Sequence, residues 1–360
     1  MKLLKALAAC LLTFVLAFGI TGCNSSFCNE EEVTAMKAEI MTTLEAGTGT
    51  GDYATPDDWS TYTAEEKTSK VDSIYNDSHP KACLTYEDDT DETTGVKISA
   101  KSWRYAFTQG FFDGLLTYPF GFLMDKFARW FGLNGYGQLF SIIIVTFLVR
   151  LVVTLATWKP TMAQQRMQLL QPEIGQINAK YGNTKDPVQK QKQAQEMMDL
   201  YKRYKINPIT TMIVPFITLP IFIGVYGAVR ATLVLREGTV LGITLAQTLS
   251  SGILTFKPTA IALFIIMMAL QILSMKLPKL LNREQYKKMD AKARDANKQA
   301  DTFTYVMLIM VVIVGWMLPV SMSVYWIASS LFTCLQTWIT KLITDKQKKK
   351  EKEAKWGGVQ

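Results

Sequence analysis

The stretch at residues 137–158, GQLFSIIIVTFLVRLVVTLATW, decides the fold class. A helix crosses the hydrocarbon core of a bilayer when about 20 consecutive residues are mainly apolar. This stretch is long enough, and the charge inside it is Arg150, eight residues before its end. The sequence therefore predicts a transmembrane helix that carries an arginine within the membrane.

Four further apolar stretches of similar length lie C-terminal to this one, which makes five predicted spans in a core over residues 137–345. A basic tail follows at residues 346–360. We therefore predict an all-α membrane protein with a five-helix transmembrane bundle. The four further spans are predicted at residues 211–233, 258–277, 302–318 and 320–343.

The composition gives little support for enzymatic chemistry. The 360 residues include 39 Lys and Arg against 31 Asp and Glu, for a formal net charge of +8. One histidine, His79, and five scattered cysteines provide no cluster for a zinc or transition-metal site. The sequence also has no Gly-rich phosphate loop and no nucleophile elbow. We expect no metal, no cofactor and no enzymatic activity.

The N-terminus has the pattern of a secretory signal. Lys2 and Lys5 precede an apolar run at residues 6–20, and small residues lead to Cys23. A cysteine at that place resembles a bacterial lipobox, so residues 1–22 are predicted to be removed and Cys23 to carry a lipid such as palmitate. An uncleaved signal anchor is the alternative, and both place the following residues outside the cytoplasm.

Residues 23–104 form an acidic extracytoplasmic region with few apolar residues in series, and we expect it to bury little. Cys28 and Cys83 are candidates for a disulfide, although their spacing does not show that they meet.

Residues 105–136 mix aromatic and charged side chains. They predict an amphipathic segment in the outer membrane interface.

The distribution of basic residues gives the orientation. Nine Lys and Arg residues lie in the segment 159–205, and two lie in the segment 236–257. Lys and Arg are enriched in cytoplasmic loops. The first segment, the loop after the third span and the C-terminal tail are therefore predicted to be cytoplasmic, in agreement with the signal sequence.

The first cytoplasmic segment, residues 160–209, is predicted to form a helical hairpin. Two stripes of apolar residues recur at steps of three and four. Gly182 supplies a turn, Asp186 and Pro187 start the second helix, and Pro208 follows its end. The hairpin is either a solvated spacer or a docking surface. The stripes are Met167, Leu170, Ile174, Ile177 and Tyr181, then Ala194, Met197, Tyr201 and Tyr204.

Arg150 is the candidate functional residue, because no acidic residue lies within the other predicted spans to neutralise it. Uncharged polar residues are available to line a hydrophilic groove around it, and three of them share a face of the last span with Ser329. Ordinary interhelical hydrogen bonding is the alternative role for each. These groove candidates are Thr146, Gln271, Trp326, Thr333 and Gln336.

A cationic groove that opens to lipid and to the cytoplasm would attract a polypeptide with negative charge beside an apolar segment. The tail of a membrane protein awaiting translocation has this character. The main alternative is a small-solute or ion transporter that uses Arg150 as an anion site, although the chain shows no inverted repeat or paired acidic relay.

Five short motifs lie in the predicted core: IIIVT at 142–146 with Arg150, LQPEI at 170–174, INP at 206–208, LPIF at 219–222 and VYW at 324–326. Together they resemble the YidC-type membrane protein insertases. The resemblance runs from about Gln109 to Lys346. It implies insertase activity in the bacterial cell membrane, nascent membrane proteins as substrates, and the ribosome, the Sec translocon and the lipid bilayer as partners. The acidic outer region is longer than is usual for the lipoprotein members.

Overall fold

The computed structural model describes residues 27–49, 53–77, 82–182, 186–204, 206–287, 308–309 and 311–356. The predicted signal peptide, Cys23 and the first part of the predicted span 302–318 lie outside these residues. The described chain is mostly helical, which confirms the all-α class. It divides into two compact units. The first holds the described residues of Met1–Val145, Leu219–Thr259 and Pro319–Met322, and the second those of Thr146–Thr218, Ala260–Leu318 and Ser323–Gln360.

The helices are numbered here in chain order. Short antiparallel strand pairs join β1 (Asp89–Thr90) to β2 (Lys97–Ile98) and β3 (Thr239–Val240) to β4 (Ile243–Thr244). A helical run at residues 311–317 precedes the last helix. The helices are α1 (Glu30–Ala46), α2 (Ala64–Asp77), α3 (Trp103–Gln109), α4 (Tyr118–Phe131), α5 (Tyr136–Ala156), α6 (Trp158–Leu169), α7 (Gln171–Tyr181), α8 (Pro187–Arg203), α9 (Pro208–Ala231), α10 (Leu233–Glu237), α11 (Leu249–Leu254), α12 (Pro258–Leu281), α13 (Arg283–Lys287) and α14 (Val320–Trp356).

The acidic N-terminal region has a hydrophobic core, so the expectation that it buries little was wrong. Helix α1 begins with a capping box between Asn29 and Glu32, which satisfies two backbone N–H groups. Met36, Ile40 and Leu44 then recur every four residues and are fully buried. This region, residues 27–101, is called the outer domain below. The other core residues are Trp59, Val71, Ile74, Tyr75, Cys83, Ile98 and Leu233.

The core of the outer domain is completed by the segment that follows α9. The Leu84 N–H donates to the Ala231 carbonyl (2.9 Å), and the Leu233 N–H donates to the Leu84 carbonyl (3.0 Å), which makes a parallel β-bridge. Cys83, next to Leu84, is bonded to Cys28 in a disulfide whose Cα atoms are 4.8 Å apart. The disulfide therefore lies beside the backbone bridge.

Charged side chains also bind the segment after α9 to the outer domain. The Arg236 Nη1 lies 3.2 Å from the Asp91 Oδ2, and both side chains are almost completely buried. The Glu92 N–H donates to the Glu237 carboxylate (2.9 Å). Burial raises the pKa of Glu237 to about 7, although the Glu92 N–H and the Arg236 charge oppose the shift. Helix α10 is thus fixed to the outer domain by apolar, ionic and backbone contacts.

Helix α4 lies within the segment 105–136 and has one buried and one exposed side. Met124 and Asp125 are buried, whereas Trp130 is exposed. Burial raises the pKa of Asp125 against the opposing charge of Arg129, which also contacts Asp89 of β1 (2.5 Å). An exposed aromatic face suits a membrane interface. Further exposed apolar residues of this segment are Phe107, Phe111, Leu115, Phe122, Phe131 and Leu133, and Trp103 lies just before it.

In the second unit, α7 and α8 pack on each other. Helix α8 begins at Pro187, and the Asp186 side chain caps it by accepting a backbone N–H. The Glu196 carboxylate of α8 accepts hydrogen bonds from Lys180 (2.5 Å) and Tyr181 (2.7 Å) of α7. Leu170 and Ile174 of the first predicted stripe lie in the contact between the helices, whereas its buried residues Leu200 and Ile206 belong to neither predicted stripe.

Among the described residues, two helices are long and apolar enough to cross a membrane by length and composition: Tyr136–Ala156 and Pro258–Leu281. A shorter apolar helical portion is Ile217–Ala231. The last helix, α14, extends to Trp356, well past the end predicted at residue 343, so the basic tail continues the helix. The arrangement with five spans therefore stays a prediction.

Candidate functional site

Arg150 lies near the C-terminal end of α5, and its neighbours in that helix are mainly apolar residues. Its side chain is half-buried, and its Nη2 donates a hydrogen bond to the Ser329 hydroxyl of α14. Ser329 itself is buried. The first polar partner of Arg150 is therefore a neutral hydroxyl that belongs to the last helix.

The positive charge of Arg150 is not neutralised within the described residues. No carboxylate among them forms an ion pair with its guanidinium. The Arg150 Nε is buried and has no hydrogen-bond acceptor in the described part of the chain. A guanidinium has five N–H donors and is always charged. Arg150 therefore retains the capacity to bind an anion.

Gln271 of α12 is connected to the neighbouring serine of α14. The Ser330 hydroxyl donates to the Gln271 Oε1 at 2.9 Å, and the Ser274 hydroxyl donates to the Gln271 carbonyl at 2.8 Å. Ser330 is as buried as Ser329. Two adjacent serines of α14 thus contact two different helices, one through Arg150 and one through Gln271.

The remaining predicted groove residues lie on α5 and α14. Thr146, one turn before Arg150, is buried, and Trp326, Thr333 and Gln336 are half-buried. The Thr333 hydroxyl donates to the Ser329 carbonyl at 2.8 Å within its own helix. The hydrogen bond of Arg150 is made to Ser329, which was not itself a predicted groove residue but shares a helical face with Trp326, Thr333 and Gln336.

A ladder of threonines extends this polar face along α14 beyond the predicted groove residues. Each hydroxyl donates to a carbonyl four residues earlier, so the ladder satisfies its donors within the helix. These residues were not among the predicted groove residues, although their spacing of three and four in the sequence fits one helical face. They are Thr337, Thr340 and Thr344.

Among the described residues, no group of three or more His, Cys, Asp and Glu side chains is arranged to hold a metal ion. The free cysteine among the described residues is Cys334, which is half-buried in α14. The polar groups around Arg150 are hydroxyls and amides. They suit recognition of a charged ligand by hydrogen bonding rather than covalent chemistry.

The part of the chain that contains Arg150 and Ser329 is similar in sequence to known proteins. Residues 129–349 match the family model described as 60Kd inner membrane protein. Membrane protein insertase MisCA of Bacillus subtilis is 30% identical over 231 residues, which cover 64% of this chain and 79% of the relative. MisCB of the same organism is 32% identical over 251 residues, 67% of this chain and 83% of the relative. Membrane protein insertase YidC 1 of Halalkalibacterium halodurans is 30% identical over 251 residues, 70% of this chain and 87% of the relative.

The matched region contains Arg150, Ser329 and every predicted groove residue, whereas the outer domain precedes it. It covers more than half of the 360 residues. The three insertases also align over most of their own length. The chain therefore belongs to the 60Kd inner membrane protein family, that of the YidC-type membrane protein insertases.

Proposed function

We propose that this protein is a membrane protein insertase and foldase that moves short extracytoplasmic tails of nascent membrane proteins through a hydrophilic groove at Arg150. The hydrophobic segments of these substrates are then released into lipid. The observation that carries the proposal is the Arg150 guanidinium, which is held by a hydroxyl and whose buried Nε meets no acceptor among the described residues. The relatives named as insertases support the same function.

The apolar surroundings allow α5 to carry this charge. An arginine at the centre of a span costs roughly 2.5 to 3.5 kcal/mol on the translocon scale, and each Leu, Ile, Val or Phe returns about 0.3 to 0.6 kcal/mol. The many such residues of α5 offset the cost of Arg150. An anion gains more from this cation than from one in bulk water, because the effective dielectric constant is lower.

The proposed substrate is an acidic tail joined to an apolar segment. The tail enters the groove by attraction to Arg150, and Thr146, Gln271 and the polar face of α14 keep its path hydrated. The apolar segment meanwhile slides along the lipid-facing surface. A hydrated groove shortens the low-dielectric distance that the polar tail must cross.

The proposed arrangement has five spans, with the outer domain outside the cell and the helical hairpin and basic tail in the cytoplasm. Helix α4 lies in the outer interface. Ribosomes that carry nascent chains contact the cytoplasmic segments, and the Sec translocon is a partner in the bacterial cell membrane. Cys23 is the lipid-modified N-terminal residue after removal of the signal peptide. The basic tail also suits anionic lipid.

The experiment that tests this function removes the charge. We expect Arg150→Ala to lower insertion of a single-span substrate with an acidic tail by roughly tenfold or more, because a hydrogen bond to a charged group contributes about 1.5 to 3 kcal/mol. Arg150→Lys should restore most of the insertion. Protease protection of the tail, measured in cells depleted of the wild-type protein, gives the readout.

A matched substrate with an uncharged tail is the control, and its insertion should change much less. Full insertion of every substrate by Arg150→Ala would exclude the electrostatic step. Normal insertion in depleted cells, together with loss of a solute flux, would instead favour the transporter alternative.

A further inference from the structure

The adjacent residues Ser329 and Ser330 have different partners. The Ser329 hydroxyl accepts from the Arg150 Nη2, whereas the Ser330 hydroxyl donates to the Gln271 Oε1 at 2.9 Å. Successive side chains of a helix point about 100° apart, so the two serines can contact two neighbouring helices at the same time. Both serines are only 4% exposed, which makes their contacts part of the packed interior.

Other hydroxyls of the same helix are used differently. The Thr333 hydroxyl donates to the Ser329 carbonyl, and the threonines further along α14 likewise bond to their own backbone. Such bonds tie the hydroxyl to its own helix. Ser329 instead makes its side-chain contact across to α5, and this contact is with the charge that the proposed function requires.

A serine hydroxyl can bind an arginine side chain without neutralising its positive charge. A carboxylate in its place would neutralise the guanidinium and compete with an acidic substrate. An apolar side chain would leave the long arginine free to extend toward water, as arginines near helix ends do. A hydroxyl accepts one of five N–H donors and leaves the net charge intact.

We infer that Ser329 is a positioning residue for Arg150. It holds the guanidinium at Nη2, and because the Arg150 side chain is only half-buried, the charged group stays available to an incoming carboxylate. Pre-organised donors bind an anion better because their ordering cost is already met. This inference rests on the proposed function and adds to it the residue that keeps the charge in place.

The test is a double-mutant cycle in the full-length protein, with two single-span substrates that differ in having an acidic or an uncharged tail. Ser329→Ala should lower insertion of the acidic substrate by roughly three- to tenfold, a part of what a charge-assisted hydrogen bond supplies. The uncharged substrate should insert almost normally. Ser329→Thr, which retains the hydroxyl, should recover most of the loss.

Ser330→Ala is the matched control, because it removes an equally buried hydroxyl that contacts Gln271 instead. It should leave the ratio between the two substrates unchanged. In an Arg150→Ala background, Ser329→Ala should have no further effect on that ratio, since the two residues act as a unit.

Each failure has a distinct signature. Equal losses for both substrates in Ser329→Ala, or a further loss of the ratio in the Arg150→Ala background, would overturn the positioning role alone. Wild-type insertion by Arg150→Ala would instead overturn the proposed electrostatic function. Failure of Ser329→Thr to restore the acidic substrate would also count against positioning.

Discussion

Removal of the disulfide by Cys28→Ala and Cys83→Ala should strongly destabilise the outer domain. The cross-link joins residues 55 apart in sequence. In the chain-entropy model, a loop of that length contributes about 4 kcal/mol to the free energy of unfolding, at the upper end of the usual range of about 2 to 4 kcal/mol. Alanine is preferred to serine because Cys83 is fully buried and a serine hydroxyl there would need a partner.

The assay is pulse proteolysis of the outer domain across a urea series, with the full-length protein in lipid nanodiscs. With an m-value of about 1 kcal/mol/M, the cleavage midpoint should fall by about 2 to 4 M. Thiol reduction of the wild type should have the same effect, and Cys334→Ala should have none. A midpoint shift below about 0.5 M would refute the entropic account, since the contacts to α10 would then suffice to hold the domain.

Two further predictions concern the segment after α9. Asp91→Asn leaves the buried Arg236 without its carboxylate and should cost about 3 to 5 kcal/mol in the same assay; a loss below about 1 kcal/mol would mean that solvent reaches the pair. The pKa of Glu237 is raised from 4.5 to about 7, so the folded domain holds a proton that the unfolded chain has lost between these values. The free energy of unfolding should therefore fall as the pH rises from about 5 to about 7, and Glu237→Gln should stabilise the domain by about 1 to 2 kcal/mol at pH 8 but hardly at pH 5. An unchanged pH profile in Glu237→Gln would contradict this assignment.

The elements that the sequence predicted well are those fixed by local patterns. The apolar run around Arg150 predicted α5 almost to its ends, because length and hydrophobicity suffice for a membrane helix. Asp186 and Pro187 predicted the start of α8, since an N-cap followed by proline is a local signal. The extension of α14 to Trp356 was missed, although Lys, Glu and Ala in the tail are good helix formers.

The features that the sequence did not reveal depend on distant partners. The core of the outer domain needs Leu233, and its buried ion pair joins Asp91 to a residue 145 positions later. The contact of Arg150 with Ser329 spans 179 positions. Helical periodicity placed Ser329 on a polar face, but it does not show which of several hydroxyls meets the arginine. That choice is made by helix packing.

The late completion of the outer domain has a consequence for biogenesis. Residues 27–101 leave the ribosome long before α10 is made, so the domain waits with an open core and with Asp91 lacking Arg236. In the proposed topology, it closes only when the segment after α9 reaches the same side of the membrane. A chain with this segment on the opposite side would keep an incomplete core without Leu233. Protease resistance of the domain would then report that the chain has reached this topology.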